Sequence, residues 1–375
     1  MQNPIKRAPR TRRGRGERPP ILASGVHSRR GAENTSVWKA GCYCVILPAQ
    51  GMLRARFGTA VSAGDCATRS RMATPLHGSK PKGLAHVAGS FVSINGAKLW
   101  TEEEGTGEPI LLIAGGPGAS HTYMHGFSPL SKTHRLIYFD ALGCGKSDSA
   151  RSSSDYTLDR AVEDVEALRA ALKVPRWNVL GHSYGGVVAQ AYAIKHPQSI
   201  ARAILANTLI SGEAWQAALD YSNEQVKNQY PEVWERTQNL RGRGLRSSAP
   251  EHQRVYNISP ALFYFFDGSN VSKTVFEINQ EVYYGMTGED ADFRLGPALA
   301  GIDFRGQLKN LRMPVLVLAG RFDRILSPLY TQQFKQYAPN AEFVIFEKSG
   351  HLPFVEEPAE TFRTLNAFLS RPSPP

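Results

Sequence analysis

Six short apolar runs, separated by sequence with helical spacing, constrain the fold of this chain more than any other feature. The runs are rich in Val, Ile and Leu, as strands buried on both faces of a sheet are. They lie at 110–114, 135–140, 177–181, 201–207, 314–320 and 342–346. Apolar residues at helical spacing predict a helix over 158–172, and a second predicted helix, 184–195, directly follows a strand. This alternation predicts an α/β fold, in which a mostly parallel sheet carries helices on both faces.

Two further features set the domain organisation. Asn95-Gly96, flanked by two extended stretches, predicts a β-hairpin before the first run. The alternation then breaks over 211–305, where the sequence is helical and aromatic without strand-like runs. We expect this segment to be a helical lid over the carboxyl edge of the sheet, where open α/β folds place their sites. The predicted division is a leader at 1–84, a core at 85–210 and 306–371, and the lid at 211–305.

The positive charge of the chain lies in its leader. The full sequence has 44 Lys+Arg against 33 Asp+Glu, a formal net charge of +11. Residues 1–71 hold 14 of the basic and three of the acidic residues, so 72–375 is neutral overall. Arg mixed with Pro and Gly, without interleaved aromatic residues, predicts a disordered extension, for which Met72 is a candidate alternative start of the protein. A targeting or nucleic-acid-binding tail is the alternative interpretation.

The rest of the chain carries no signal for binding nucleic acid, a membrane or a cofactor. Its charge is balanced, and no run approaches the roughly 18 apolar residues of a membrane span. Cys42 and Cys44 have no second pair downstream, which argues against a zinc site. Gly145-Lys146-Ser147 resembles the end of a phosphate loop but lacks the upstream glycine of that motif. We therefore expect a cytoplasmic protein with no metal and no cofactor.

Ser183 is the predicted nucleophile. It stands in Gly181-His182-Ser183-Tyr184-Gly185, which matches G-x-S-x-G between a predicted buried strand and a predicted helix. A strand-to-helix turn this sharp leaves no room for a Cβ on either side of the serine, which explains the flanking glycines. Because a serine hydroxyl is a weak nucleophile at neutral pH, the site also needs a base.

Asp323 and His351 are the predicted partners of Ser183. Each follows a late buried strand, at 314–320 and 342–346, so both side chains are expected at the carboxyl edge of the sheet. The order Ser, acid, His is the one that accompanies an elbow of this kind. His351 is then the general base, and Asp323 orients its ring. Asp140 also ends a strand but precedes the nucleophile, so we interpret it as structural.

A glycine-rich loop supplies the second motif. Ala114-Gly115-Gly116-Pro117-Gly118 directly follows the first buried run and is expected to face the nucleophile. We expect the backbone N–H groups of Gly116 and Tyr184 to form an oxyanion hole. Tyr184 opens a predicted helix, whose N-terminus favours developing negative charge.

With this loop, 139–148 and 181–186 in place, the chain resembles the proline iminopeptidase family of α/β-hydrolases over about 91–369. These are exopeptidases that release an N-terminal residue, often proline, from peptides. The resemblance implies the α/β-hydrolase fold and supports the triad and the oxyanion hole. The family usually has histidine before Gly-Gly-Pro-Gly, where this chain has Ala114.

The resemblance also implies substrate-binding residues. Gly115 of the glycine-rich loop is assigned to substrate binding, and family members use lid carboxylates to bind the free α-amino group of the substrate. The segment 285–293 is similar to such a stretch and offers Asp292 and Glu289. Glu251, beside Arg254, is a suggestion for a second acid.

The leading hypothesis is hydrolysis of an amide or peptide at an N-terminal residue, through an acyl-enzyme, with a small molecule or short peptide as substrate. An esterase or another small-molecule acyl hydrolase with the same machinery is an alternative. A non-catalytic ligand receptor on the same fold is a second. Epoxide and haloalkane hydrolysis are excluded, because both need a carboxylate at the position of Ser183.

Overall fold

The computed structural model describes residues 88–256 and 263–372. The predictions of a disordered leader and of a start at Met72 fall outside the described residues. None of the helices in the described parts has the length and apolar character that crossing a membrane requires.

The centre of the protein is a mixed sheet of eight strands in the order β1-β2-β4-β3-β5-β6-β7-β8. β1 pairs with β2 and β2 with β4 in antiparallel fashion, and all other pairs are parallel. The strands are β1 (Gly89–Ile94), β2 (Ala97–Glu104), β3 (Glu108–Ile113), β4 (His134–Phe139), β5 (Trp177–His182), β6 (Ile200–Ala206), β7 (Val315–Gly320) and β8 (Glu342–Phe346). The predicted α/β fold with a mostly parallel sheet is confirmed.

The predicted hairpin joins β1 to β2. Asn95 and Gly96 have φ angles of 45° and 79°, the left-handed backbone that a tight turn between two twisted strands needs. Ile94 and Ala97 are direct partners across the ladder. The turn is tied to the next layer, because Asn95 Nδ2 donates to Asp164 Oδ1 at 2.8 Å.

Helices cover both faces of the sheet. The α-helices are α1 (Leu158–Ala171), α2 (Tyr184–Lys195), α3 (Gly212–Gln229), α4 (Pro231–Gly242), α5 (Pro250–Tyr256), α6 (Gln280–Thr287), α7 (Pro297–Ala300), α8 (Pro328–Thr331), α9 (Phe334–Tyr337), α10 (Pro353–Glu356) and α11 (Pro358–Leu369). A 3₁₀ segment, His121–Lys132, links β3 to β4. The predicted helices at 158–172 and 184–195 correspond to α1 and α2.

Alternate side chains of each strand enter opposite halves of the core. In β3, Leu111 packs with Val165 of α1 on one face, whereas Ile110 and Leu112 pack with Phe368 of α11 on the other. All five side chains are buried. Burial on both faces is the physical reason that these strands are continuously apolar in sequence.

The segment between β6 and β7 is helical where it is described. It contains α3 to α7 and no strand of the sheet within its described residues. Its chain touches the glycine-rich loop, where Asn279 N–H donates to Gly118 O at 2.9 Å and Ala119 forms a β-bridge with Ile278. The assignment of 211–305 as a lid, and the exact domain bounds, stay predictions.

Candidate active site

Ser183 lies on a strained turn between β5 and α2. Its φ of 56° and ψ of −124° lie outside the regions that non-glycine residues normally adopt. The flanking glycines are required by space, because a Cβ on Gly181 would lie 2.2 Å from Gly185 O and one on Gly185 would lie 2.1 Å from Ile113 O. Ser183 N–H donates to Ala206 O at 2.9 Å, which holds the turn against β6.

Asp323 and His351 form a buried pair at the carboxyl ends of β7 and β8. His351 Nδ1 lies 2.7 Å from Asp323 Oδ2, and each side chain is about 1% exposed. Asp323 Oδ1 accepts hydrogen bonds from the N–H groups of Ile325 at 3.0 Å and Leu326 at 2.7 Å. The carboxylate is therefore fixed on both oxygens. An acceptor at Nδ1 leaves the lone pair of a neutral His351 ring on Nε2.

Asn207 is a member of this constellation that the sequence reasoning missed. It follows β6 directly with a φ of 47°, and its Nδ2 donates to Asp323 Oδ2 at 3.0 Å and to Gly350 O at 3.2 Å. One amide thus positions both the acid and the loop that carries His351. The available signal was its place at the end of a buried strand, the same signal that pointed to Asp323.

His182 connects the nucleophile turn to the loop of the base. Its Nε2–H donates to His351 O at 2.9 Å, and its Nδ1 accepts from Tyr123 Oη at 2.9 Å. Tyr123 Oη in turn accepts the N–H of Gly115 at 2.6 Å. Burial lowers the pKa of His182 well below its ordinary value, so its ring is neutral and this pattern of donors is self-consistent. The chain of bonds joins the glycine-rich loop, the elbow and the His351 loop.

The glycine-rich loop packs directly against Ser183. A Cβ on Gly115 would lie 2.9 Å from Ser183 Cβ, and Gly116 has a φ of 106° that favours glycine. The N–H of Gly115 donates to Tyr123, so of the two only Gly116 stays a predicted oxyanion donor. Tyr184 is the first residue of α2, where backbone N–H groups have no partner within the helix.

Asp292 and Glu289 differ sharply in environment. Glu289 is exposed, as is Glu251, which lies 3.8 Å from Arg254. The side chain of Asp292 is only 14% exposed, and its Oδ2 has no hydrogen-bond partner among the described residues. Burial raises the pKa of Asp292 to about 7, although a hydrogen bond with the Ser247 side chain opposes this rise; the neighbouring Asp290 adds a smaller upward contribution.

Asp292 also lacks a dedicated counter-charge. The guanidinium of Arg241 pairs with Asp290 through two hydrogen bonds, one of them 2.8 Å from Nη2 to Oδ2. His252 Nδ1 lies 3.7 Å from Asp292 Oδ2, but burial lowers the pKa of His252 to about 4, so this ring is neutral near pH 7. A cationic ligand would find an unpaired carboxylate here.

Tyr264 contacts His351, and its phenol is affected by the charges of both Asp323 and Asp292. The N–H of His351 donates to Tyr264 O at 2.7 Å, and the two rings lie 5.2 Å apart. Burial, with the charges of Asp323 and Asp292, raises the pKa of Tyr264 to about 12. The phenol therefore lies within the electrostatic reach of both carboxylates.

A largely apolar pocket, partly open to solvent, borders the glycine-rich loop. Pro117 and Tyr184 line it from the core, and Val282 and Met286 of α6 line it from the 211–305 segment. It gives the site an apolar compartment beside the predicted oxyanion donors.

Comparison with known proteins identifies the family of the chain. Residues 108–358 match the family model described as alpha/beta hydrolase fold. A proline iminopeptidase of Heyndrickxia coagulans is 28% identical over 289 residues, which is 75% of this chain and 98% of that protein. A proline iminopeptidase of Saccharolobus solfataricus is 27% identical over 72% of this chain and 86% of its own length.

Among solved structures, a proline iminopeptidase of Mycobacterium smegmatis superimposes with a TM-score of 0.63 at 21% identity. The superposition covers 75% of this chain and 97% of that one. At this identity the likeness supports the fold alone. Together with the family match, these relatives establish that the chain belongs to the alpha/beta hydrolase fold family, as a proline iminopeptidase-like hydrolase.

Proposed function

We propose that this hydrolase is an aminopeptidase that releases an N-terminal residue, of the proline type, from short peptides through an acyl-enzyme. The observation that carries the proposal is the buried carboxylate of Asp292, whose Oδ2 has no hydrogen-bond partner among the described residues. Its charge, like that of Asp323, acts on Tyr264, whose ring lies 5.2 Å from the ring of His351. An esterase needs no buried anion in its binding site, whereas an enzyme that reads a free amino terminus does. The cytoplasmic location stays part of the proposal.

In the proposed reaction, Ser183 Oγ attacks the carbonyl carbon of the scissile amide and transfers its proton to His351 Nε2. The N–H groups of Gly116 and Tyr184 stabilise the oxyanion, and each such donor contributes about 10²–10³ in rate. His351 then protonates the leaving amine, which departs and leaves an ester on Ser183. A water molecule attacks this ester with His351 as base, and Ser183 recovers its proton.

Asp323 positions His351 throughout this cycle. Its bond to Nδ1 holds the ring so that Nε2 faces the reaction, and it stabilises the imidazolium that forms twice in each turnover. The bond from Asn207 keeps the carboxylate in place while the charge on the ring changes.

Substrate selection is proposed to rest on Asp292. The primary α-ammonium group of a peptide, or the secondary ammonium of an N-terminal proline, would form a charge-assisted hydrogen bond with this carboxylate in a site with little water. The bound cation would also hold Asp292 ionised and offset the burial that raises its pKa. Glu289 is exposed and is a weaker candidate for this role.

An esterase or other acyl hydrolase is the second candidate, favoured by the apolar cavity beside the glycine-rich loop. The two functions are separated by comparing hydrolysis of proline p-nitroanilide, its N-acetylated form and p-nitrophenyl butyrate, with Ser183→Ala as the control. We expect the wild type to cleave the free-amine anilide and to cleave the acetylated form only slightly. Ser183→Ala should cleave neither anilide. Cleavage of the butyrate alone would make the protein an esterase and contradict the aminopeptidase proposal.

A further inference from the structure

Three ligating groups meet beside the glycine-rich loop, outside the proposed catalytic constellation. Glu102 comes from β2, and His121 and His125 come from the 3₁₀ segment that follows the loop. Glu102 Oε2 lies 3.2 Å from His121 Nε2 and 3.1 Å from His125 Nε2. One ligand atom from each residue lies within 4.8 Å of the other two.

The two ring nitrogens approach the carboxylate without forming hydrogen bonds to it. Both His121 Nε2 and His125 Nε2 are buried and have no hydrogen-bond partner within the described residues, despite their short distances to Glu102 Oε2. An ordinary ion pair at this distance would align each N–H with the oxygen. The three ligand atoms instead lie within 4.8 Å of one another, a spacing that one metal ion can bridge.

Asp140 orients the His121 ring. Its fully buried carboxylate accepts the backbone N–H of His121 and lies 2.8 Å from His121 Nδ1 through the same oxygen, Oδ1. The other oxygen accepts the N–H of Lys146. A carboxylate surrounded by these donors takes the Nδ1 proton as an acceptor, so a neutral His121 ring presents its lone pair at Nε2. A carboxylate behind a histidine is the usual support of a metal-binding ring.

Glu102 is arranged in the same way. Its Oε1 accepts from Trp100 Nε1 at 2.8 Å and lies 3.6 Å from Lys146 Nζ, which leaves Oε2 for the two histidines. The side chain of Glu102 is 10% exposed and that of His125 is 25% exposed, so a solvent path reaches the cluster. Zinc–nitrogen bonds of about 2.0–2.1 Å in tetrahedral geometry separate neighbouring ligand atoms by about 3.3 Å. The observed separations from Oε2 match that spacing.

We propose that Glu102 Oε2, His121 Nε2 and His125 Nε2 bind a divalent transition metal ion of the Zn²⁺ type, with water completing its coordination. Two imidazoles and one carboxylate are ligands that this class of ion prefers. The ion would brace the segment that directly follows the glycine-rich loop against β2. The proposed role of the ion is structural. The sequence analysis predicted no metal site, because the cysteines lack the spacing of zinc ligands.

The test uses the full chain after treatment with a chelator. Zn²⁺ binding is measured by titration calorimetry, and Co²⁺ binding by visible absorption, in the wild type and in His125→Gln and Glu102→Gln. His196→Gln is the matched control, since His196 also lies against a carboxylate, 3.2 Å from Glu163, but outside the cluster. Binding at cysteines of the leader is common to all four proteins and cancels in the comparison.

We expect the wild type and the His196→Gln control to bind one metal ion with equal affinity. His125→Gln and Glu102→Gln should bind this ion at least 10- to 100-fold more weakly. X-ray absorption of the zinc-loaded wild type should show nitrogen and oxygen ligands with two imidazoles. Zn²⁺ should raise the unfolding temperature of the wild type and the control but of neither cluster variant. Equal stoichiometry and affinity in all four proteins, or no binding to any, would overturn the proposal; catalytic activity enters none of these readouts.

Discussion

The substitution Asp292→Asn tests the unpaired buried carboxylate through stability. Burial raises the pKa of Asp292 from 3.8 to about 7, and each pKa unit corresponds to about 1.36 kcal/mol. Below pH 4 the carboxyl is protonated in both the folded and the unfolded chain. As the pH rises from 4 to 7 only the unfolded chain loses the proton, so the free energy of unfolding falls, and above pH 7 the full difference of about 4 kcal/mol is reached.

An asparagine at this position has no proton to lose. The free energy of unfolding of the variant, compared with that of the wild type, should therefore increase with pH. The pH-dependent part of this difference should be about 2 kcal/mol at pH 5 and about 4 kcal/mol at pH 8. Urea denaturation of both proteins at the two pH values measures this change. A difference in stability that stays constant from pH 5 to pH 8 would show that the carboxylate is not buried as described, and would refute the reasoning.

The same variant tests the proposed function independently. Removing one partner of a desolvated charge pair costs about 2–5 kcal/mol, so kcat/KM for proline p-nitroanilide should fall about 30-fold or more. Hydrolysis of an uncharged ester should change little. Glu289→Gln is the matched control and should leave both activities intact, because the Glu289 side chain is exposed. Equal losses on the amine and the ester would remove Asp292 from substrate selection.

Three further substitutions address the support of the triad. Asp323→Asn should lower kcat about 10⁴-fold because the amide selects the wrong tautomer of His351, and a loss below tenfold on the preferred substrate would contradict the role of Asp323. Asn207→Gly keeps the left-handed backbone but removes the hydrogen bond to Asp323, so kcat should fall. The loss of stability should be smaller than in Asn207→Ala, because the φ of 47° adds about 1 kcal/mol or more of strain to an alanine. Equal stabilities of the two variants in urea would argue against that strain. Tyr123→Phe leaves the Gly115 N–H and His182 Nδ1 buried without their partner, so the free energy of unfolding should fall by about 1–3 kcal/mol, and an unchanged urea midpoint would show that this link is not formed.

The sequence by itself determined the architecture. Strands buried on both faces must be continuously apolar, so their positions are visible without tertiary information, and the fully buried β7 (Val315–Gly320) lies within the predicted 314–320. The elbow was also visible in the sequence through its G-x-S-x-G pattern, and the requirement for Gly181 is local, because a Cβ there would clash with Gly185 O. Since parallel strands gather their carboxyl ends at one edge, positions directly after β7 and β8 were enough to predict that Asp323 and His351 meet.

Only the tertiary structure separated residues that look alike in sequence. Asp292 and Glu289 lie three positions apart in one acidic stretch, yet one is buried with an unpaired oxygen and the other is exposed. Glu102, His121 and His125 carry no motif, and strand pairing brings them together. Asn207 directly follows a buried strand, but the sequence did not show that its side chain would bind Asp323. Burial, pKa and hydrogen bonding depend on neighbours distant along the chain, so these properties were decided by packing and not by local pattern.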